Sequence, residues 1–362
     1  MHPLQQRIFE LTRELAALPG PPGAEQPVIR ALVDKMKAIT PEVDVDHFGN
    51  IYAWKRGGDG PTLLVAAHSD ELGLFVRQID QRGFIRFTKA GGIADGLLPG
   101  RKVWVGGHLG VVGVKAGHFQ TEEDRRRVVP ASELYIDVGV NSAEEVRALG
   151  IRAGDPVTFK DDLDLLPGGR IAGKAIDNRL GCAVVVEALA ALQSEDIQGS
   201  VCVVINVQEE VGLRGATMSA YRVAPDIGLA VDTIPCGGTP DVSESQVDTD
   251  IGRGPLLPFL SQGGAKGMMT HPAVMKLMVD TAEEEGLPYQ VMHFIGGNND
   301  ATAIHLSRGG IPSGSVCLAR RYSHSPVEMA DLGDAAAGVK LLVGIARRLG
   351  PDLDLSFLGA GR

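Results

Sequence analysis

Seven residues of the types that hold divalent cations or work beside them stand out in this chain: His68, Asp70, Asp177, Glu209, Glu210, Asp232 and His324. Three apolar runs of strand length lead into five of them. Thr62–Ala67 runs into His68-Ser-Asp70, Val201–Gln208 into Glu209-Glu210, and Ile227–Val231 into Asp232. In an open α/β sheet, ligands bind in the crevice outside the carboxyl ends of the strands. The three runs are therefore expected to deliver acids and an imidazole to one crevice. Asp177 opens a long helical stretch, and His324 follows a strand and an Arg-Arg-Tyr-Ser turn; both are expected to join the cluster.

Carboxylates gathered between low-dielectric walls repel one another, and some are forced to protonate unless a cation intervenes. Arg179 and Arg214 are the basic residues expected near the cluster, so divalent metal ions are the expected relief. Imidazole with carboxylate suits zinc, and also accepts cobalt or manganese. In an extended His-x-Asp segment residues i and i+2 face one side, so Asp70 is expected to hydrogen-bond the His68 ring and fix its tautomer. Glu209 and Glu210 are adjacent and must diverge: one can ligate a metal while the other serves as general base. Each feature alone has an ordinary reading, as a core hydrogen bond, a solvated face, a helix cap or a loop histidine. Their shared position at strand ends is what favours a site.

The elements that would position these residues alternate in texture along the chain. Two helices open it, parted by Pro-Gly-Pro-Pro-Gly at 19–23. β-segments at Val43–His47 and Ile51–Lys55 flank a Gly-Asn turn. From Leu74 to Lys160 come short β-runs with Gly-rich turns: Leu74–Ile79, Phe84–Thr88, Lys102–Val105, Val111–Lys115, Leu134–Val138 and Pro156–Phe159. They suggest a small barrel or sandwich, with one short helix at Ala143–Leu149. Beyond about residue 168, long apolar strands (Ser200–Gln208, Ile227–Asp232, Ser313–Leu318) alternate with helices (Asp177–Gln193, Asp331–Leu349), as in a sheet layered by helices. The expected organisation is one α/β domain, residues 1–70 and 168–362, interrupted by a β-rich insertion at 71–167.

A formal charge of -10 argues against a nucleic-acid partner. The basic cluster Arg125–Arg127 follows three acids and reads as a solvated loop. Four scattered cysteines without CxxC spacing read as reduced thiols. No apolar run is of membrane-spanning length, and the N-terminal segment reads as an amphipathic helix, not a signal peptide. The expectation is a cytoplasmic enzyme.

Five segments together resemble the M42 family of metallo-aminopeptidases: Ala67-His-Ser-Asp-Glu-Leu-Gly73, Lys174-Ala-Ile-Asp-Asn-Arg-Leu-Gly181, Val207-Gln-Glu-Glu-Val-Gly-Leu-Arg-Gly-Ala216, Val231-Asp-Thr233 and Arg321-Tyr-Ser-His-Ser-Pro-Val-Glu328. The resemblance spans nearly the whole chain. It implies a mixed sheet sandwiched by helices (zinc-peptidase-like) with an inserted PDZ-like dimerisation barrel. It implies two divalent metals, with Asp177 bridging, His68 and Asp232 on one ion, Glu210 and His324 on the other. Glu209 would be the general base and Asp70 would orient His68. It also implies peptide substrates and homo-oligomers, dimers assembling to a dodecamer. Ser69 stands where the family often has Met, and Asn299 in Gly296-Gly-Asn-Asn-Asp-Ala301 where Thr is usual. The competing readings are an N-acyl amino acid deacylase or carboxypeptidase of the same chemistry, a metal-free glycosidase using two carboxylates, and a non-catalytic peptide-binding scaffold.

Overall fold

The computed structural model describes residues 1–359. Helices α1 (Pro3–Ala17) and α2 (Gln26–Ile39) turn apolar stripes inward (Ile8, Leu11, Leu15; Val28, Leu32, Met36). Then follow β1 (Val43–Val45), β2 (Ile51–Lys55) and β3 (Thr62–His68). Every residue of β3 after Thr62 is buried, as its unbroken apolar run requires of a strand covered on both faces.

The chain next closes a six-stranded antiparallel barrel from β4 (Gly73–Ile79), β5 (Ile85–Ala90), β6 (Lys102–Val105), β7 (His108–Val112), β8 (Ile136–Asp137) and β9 (Pro156–Phe159). It has its own apolar interior, including Leu74, Phe87, Val103, Val112, Ile136 and Val157. Between a barrel and a sandwich, the structure chooses the barrel. Two expected strands move: the run at Val111–Lys115 pairs instead at His108–Val112, and Leu134–Val138 contracts to two residues. Besides α4 (Ala143–Ala148) this region holds a second short helix, α3 (Glu122–Arg126), capped by Thr121.

The remainder returns to the sheet. After β10 (Asp164–Leu166) and β11 (Arg170–Gly173) come α5 (Ile176–Leu192), β12 (Ser200–Asn206), α6 (Arg214–Val223) and β13 (Ile227–Pro235). They are followed by β14 (Leu256–Gly263), β15 (Lys266–Met269), α7 (Pro272–Glu284), β16 (Gln290–Ile295) and α8 (Ala301–Ile304). The chain closes with β17 (Ser313–Arg320), β18 (Glu328–Asp331) and α9 (Leu332–Arg347). The large sheet is mixed, in the order β1-β2-β12-β3-β13-β17-β14-β15, with β16 beside β14. Its centre, β12, β3, β13 and β17, is parallel, so these four strands end on one edge. Helix α5 is apolar nearly all round and lies in the main core with α1 and α9.

Candidate metal centre

The parallel strands bring the expected residues to one crevice. His68 is the last residue of β3 and lies opposite Asn206, the last residue of β12; Glu209 and Glu210 follow three and four residues later. Asp232 is not at a strand end, as the sequence suggested. β13 runs on to Pro235 because Thr233 and Ile234 pair with Leu318 and Ala319 of β17. Asp177 precedes the regular turns of α5 with non-helical backbone angles. Asn178 anchors that irregular start by donating to Val231 O at 2.8 Å and accepting from Gly181 N. A Cβ at Gly181 would lie 2.0 Å from the Asn178 side-chain oxygen, so this turn needs glycine. His324 sits in the turn between β17 and β18.

Asp177 is the centre of the geometry. Its Oδ1 lies 3.2 Å from His68 Nε2, and its Oδ2 lies 3.5 Å from His324 Nε2. His68 Nε2 is also 3.5 Å from Asp232 Oδ1 and 4.0 Å from Glu209 Oε2, while His324 Nε2 is 3.9 Å from Glu210 Oε2. Potential ligand atoms therefore gather in three overlapping groups, each spanning no more than 4.8 Å: His68–Asp177–Asp232, Asp177–Glu210–His324 and His68–Glu209–Glu210. Asp177 Oδ1 and Glu210 Oε1 are buried and accept no hydrogen bond. Buried acceptors without donors are costly, and imidazole with carboxylate oxygen is a donor set that fits a divalent ion. The residues present thus fit the group that the chemistry asks for.

Charge without a cation is unevenly shared. Burial, reinforced by the Asp177 charge, pushes Glu210 up to about 8. Burial also raises Glu209 well above the usual carboxylate range and lifts Asp232. Burial opposes protonation of His68, but the charge on Glu209 and the close carboxylates of Asp177, Asp232 and Asp70 outweigh it and hold the ring's pKa well above normal. The hydrogen bond to Asp177 lifts His324 to about 9. Asp177 stays well below the ordinary range: against burial it has the Arg320 charge and both imidazoles.

Arg320 corrects the expectation that Arg179 and Arg214 are the basic neighbours. Arg179 turns away to Leu15 O (2.6 Å) and Glu71, and Arg214 hydrogen-bonds Gln208. Arg320, 1% exposed, contacts Asp177 Oδ2 and donates to Glu328 Oε1 at 2.6 Å and Ser323 Oγ at 2.7 Å. Glu328 in turn accepts from the backbone N–H of Asp177 (2.9 Å) and His324 (3.1 Å). One Arg–Glu pair therefore holds the two segments that carry those side chains. Neither was singled out as a site residue in the sequence.

Asp70 also differs in detail. Its carboxylate lies 3.5 Å from His68 Nδ1, but its hydrogen bonds go to the backbone N–H of Glu209 and Glu210, at 3.0 Å each. The nearer partner of Nδ1 is the Asp70 carbonyl at 3.2 Å. Asp70 thus fixes the Glu209-Glu210 turn as well as the ring. Behind the site, buried Asp300 accepts from Asn206 Nδ2 at 2.8 Å, and burial lifts it to about 7. Asn206 O receives Ser69 N and Ser69 Oγ, so Asp300 supports the His68 turn through β12.

The crevice opens into a cavity of about 730 Å³ lined by the site residues, the hairpin residue Lys266 and the Met292–Asn298 segment. His293, which had no evident role in the sequence, is part of that lining.

Comparison with known proteins agrees with this arrangement. The sequence pattern of the family described as M42 glutamyl aminopeptidase matches residues 49–341. The lysyl aminopeptidase of Pyrococcus furiosus is 30% identical, over 95% of this chain and 98% of its own. The structure of aminopeptidase APDkam598 from Desulfurococcus kamchatkensis superposes with a TM-score of 0.92 at 35% identity, covering 96% of this chain and 97% of that one. The Pyrococcus horikoshii TET1 peptidase, described as assembling into a tetrahedron or a large octahedral shell, gives 0.83 at 30% identity, with 94% and 99% covered. The chain belongs to the M42 peptidase family. It is a peptide-bond hydrolase of the aminopeptidase kind.

Proposed function

We propose that the chain removes N-terminal residues from peptides with two divalent ions, zinc first among zinc, cobalt and manganese. The observation that carries this is Asp177, whose two oxygens face two different imidazoles, each beside a further carboxylate. His68 and Asp232 would hold one ion, Glu210 and His324 the other, with Asp177 between them. Ions bound there would lower the pKa of water and polarise the peptide carbonyl. Glu209 is the remaining carboxylate. It takes a proton from the attacking water and returns it to the leaving amine. Asp70 keeps Glu209 and His68 in register, and Arg320 with Glu328 fixes the Asp177 and His324 segments.

The reading separates from its competitors on the substrate's first nitrogen. Free peptides should be trimmed from the amino end, one residue at a time. N-acetylated versions of the same peptides should be inert. Release of acetate, or trimming from the carboxyl end, would favour a deacylase or a carboxypeptidase instead.

Metal loading is expected to release protons. At pH 7 the metal-free site holds protons on His324 (about 9) and Glu210 (about 8), and ligands must lose them to bind. Affinity should therefore fall as pH falls from 9 toward 6. Titration calorimetry in buffers of different ionisation enthalpy should show at least about one proton released per chain. Zero release would contradict the ligand assignment.

The division into residues 1–70, 71–167 and 168–362, with a PDZ-like insertion for dimerisation, is part of the same proposal. Trp104, Leu109 and Val111 are 41–43% exposed on β6 and β7, an apolar face suited to a partner. By likeness to the PhTET1-12s structure, described as a dodecamer, dimers would build a dodecamer. No helix of the described residues is long and apolar enough to cross a membrane. All four cysteines are buried and unpaired, which suits a reducing cytoplasm.

A further inference from the structure

Glu210 and His324 have a neighbour that the reaction does not explain, the turn that follows β5 of the barrel. Strand β4 leaves the site directly, starting three residues after Asp70. Its antiparallel partner β5 returns to the same end, with Ala90 opposite Gly73. Gly91 and Gly92 come next, so the barrel meets again the crevice that it left. A Cβ at Gly92 would lie 2.9 Å from His324 Nδ1 and 3.4 Å from its Cε1. One at Gly91 would meet Leu72 at 2.2 Å and then Glu210, its Oε2 at 3.4 Å. The turn thus lies against both residues assigned to the second ion. His68 and Asp232, assigned to the first, are not among these neighbours.

His324 has need of such a neighbour. An imidazole that binds a metal through one nitrogen is normally steered by a hydrogen bond at the other. For His68 that partner is the Asp70 carbonyl, 3.2 Å from Nδ1. His324 turns Nε2 toward Asp177 and Glu210, and among the described residues no hydrogen bond reaches its Nδ1. Its side chain is also 40% exposed. What bounds the ring on the Nδ1 side is the backbone of Gly92. The turn itself is fixed. Ile93 is buried in the barrel interior, and Lys89 Nζ donates to Ile93 O at 2.7 Å while pairing with Asp95. Asp95 in turn accepts from Ala131 N at 3.0 Å. Gly91 has a φ of +89°, but Gly92 does not share that region, so a side chain at Gly92 would strain the contact with the ring and not the backbone.

We propose that the Gly91–Gly92 turn is a positioning element of the metal centre: it sets the His324 ring and the Glu210 carboxylate for the second ion, which gives the barrel a part in the reaction centre. The proposal rests on the two-ion reading. A close-packed contact leaves no room for an added methyl group, so alanine at position 92 has to push the ring away from Asp177 and Glu210. Freeing the turn from Lys89 acts in the opposite way, by letting the ring wander.

The test is a calorimetric zinc titration of metal-free wild type, Gly92→Ala, Lys89→Met and Gly96→Ala. Urea unfolding of each metal-free protein and peptide-trimming rates at limiting and excess zinc accompany it. Gly96→Ala is the control in the same loop, where a Cβ would meet only Val128, at 3.6 Å. Wild type and control should bind two equivalents. Gly92→Ala should bind the first within about twofold of wild type and the second about 10- to 100-fold more weakly, the usual cost of losing an outer support of a ligand. Its lost rate should return in excess zinc. Lys89→Met should weaken the second equivalent about 3- to 10-fold, the range of one hydrogen bond. The metal-free unfolding midpoints should match that of the control. A second equivalent held as tightly as in wild type by either variant would overturn the proposal. So would equal weakening of both equivalents together with a lowered midpoint. Should Gly92→Ala not fold, Lys89→Met decides by the same criteria. If wild type binds a single equivalent, or is fully active without metal, the two-ion reading fails and takes this one with it.

Discussion

Glu209→Gln is expected to lower kcat about 100- to 10,000-fold, the usual contribution of a positioned acid–base group, while the protein still binds both metal equivalents. Glutamine keeps the shape and the hydrogen-bonding reach of Glu209 but cannot take a proton. Asp70 reaches this residue through its backbone N–H at 3.0 Å, so the turn should hold. Glu210 is the control, because it is the neighbour that the geometry allows in the same group with His68. Glu210→Gln should cost metal affinity first, and part of its activity should return at high metal concentration. Steady-state kinetics with metal analysis of each variant separates the two. If Glu209→Gln lost metal and Glu210→Gln kept it, the roles would have to be exchanged.

Arg320→Met is expected to cost about 3–5 kcal/mol of stability in the metal-free protein, the usual penalty for stranding a buried charge. Arg320 is buried between Asp177 and Glu328, and burial already lifts Glu328 to about 7 against the pull of that arginine. Without it Glu328 loses its cationic partner, and Asp177 is left with the two imidazoles alone. Glu328 would be free to swing from the backbone N–H groups of Asp177 and His324. Bound metal should restore part of the loss, because it supplies positive charge to Asp177. Urea unfolding with and without metal reads both effects. A loss under about 1 kcal/mol, in the range of an ordinary substitution, would show that the pair is not what holds these segments.

The parts of this molecule that follow from periodicity were legible in its sequence. The apolar runs at Thr62–Ala67, Ser200–Gln208 and Ser313–Leu318 became central strands because a parallel sheet buried on both faces requires such runs. The six short β-runs between Leu74 and Phe159 correspond to the six barrel strands. Their edges moved where Gly-rich turns leave register to tertiary pairing. Asp232 looked terminal because an acid after four apolar residues reads as a strand end; the pairing of β13 with β17 that carries it onward is a long-range fact.

Arg320 was hidden for a different reason. It stands beside Arg321 at the end of β17, and neighbouring residues in a strand point to opposite faces. One arginine turns in to Asp177; the other turns out to Asp250 at 2.7 Å. Which is which depends on register, and register is not written in two identical letters. Glu328 was visible within the Arg321–Glu328 motif, but its hydrogen bond from the backbone N–H of Asp177, 151 positions away, could not be. Asp300 was noticed without a role, since its partner Asn206 lies 94 positions away.

The central claim is that two cations held by His68, Asp177, Glu210, Asp232 and His324 carry the reaction. It is tested most directly by stripping the protein with a chelator and restoring zinc, cobalt or manganese stepwise, while bound metal and release of N-terminal residues are followed together. Activity should vanish on chelation and return with at least one of the ions, rising to its plateau as the second equivalent per chain binds. Full activity in the stripped protein, no recovery with any of the three, or a plateau reached at one equivalent would contradict it.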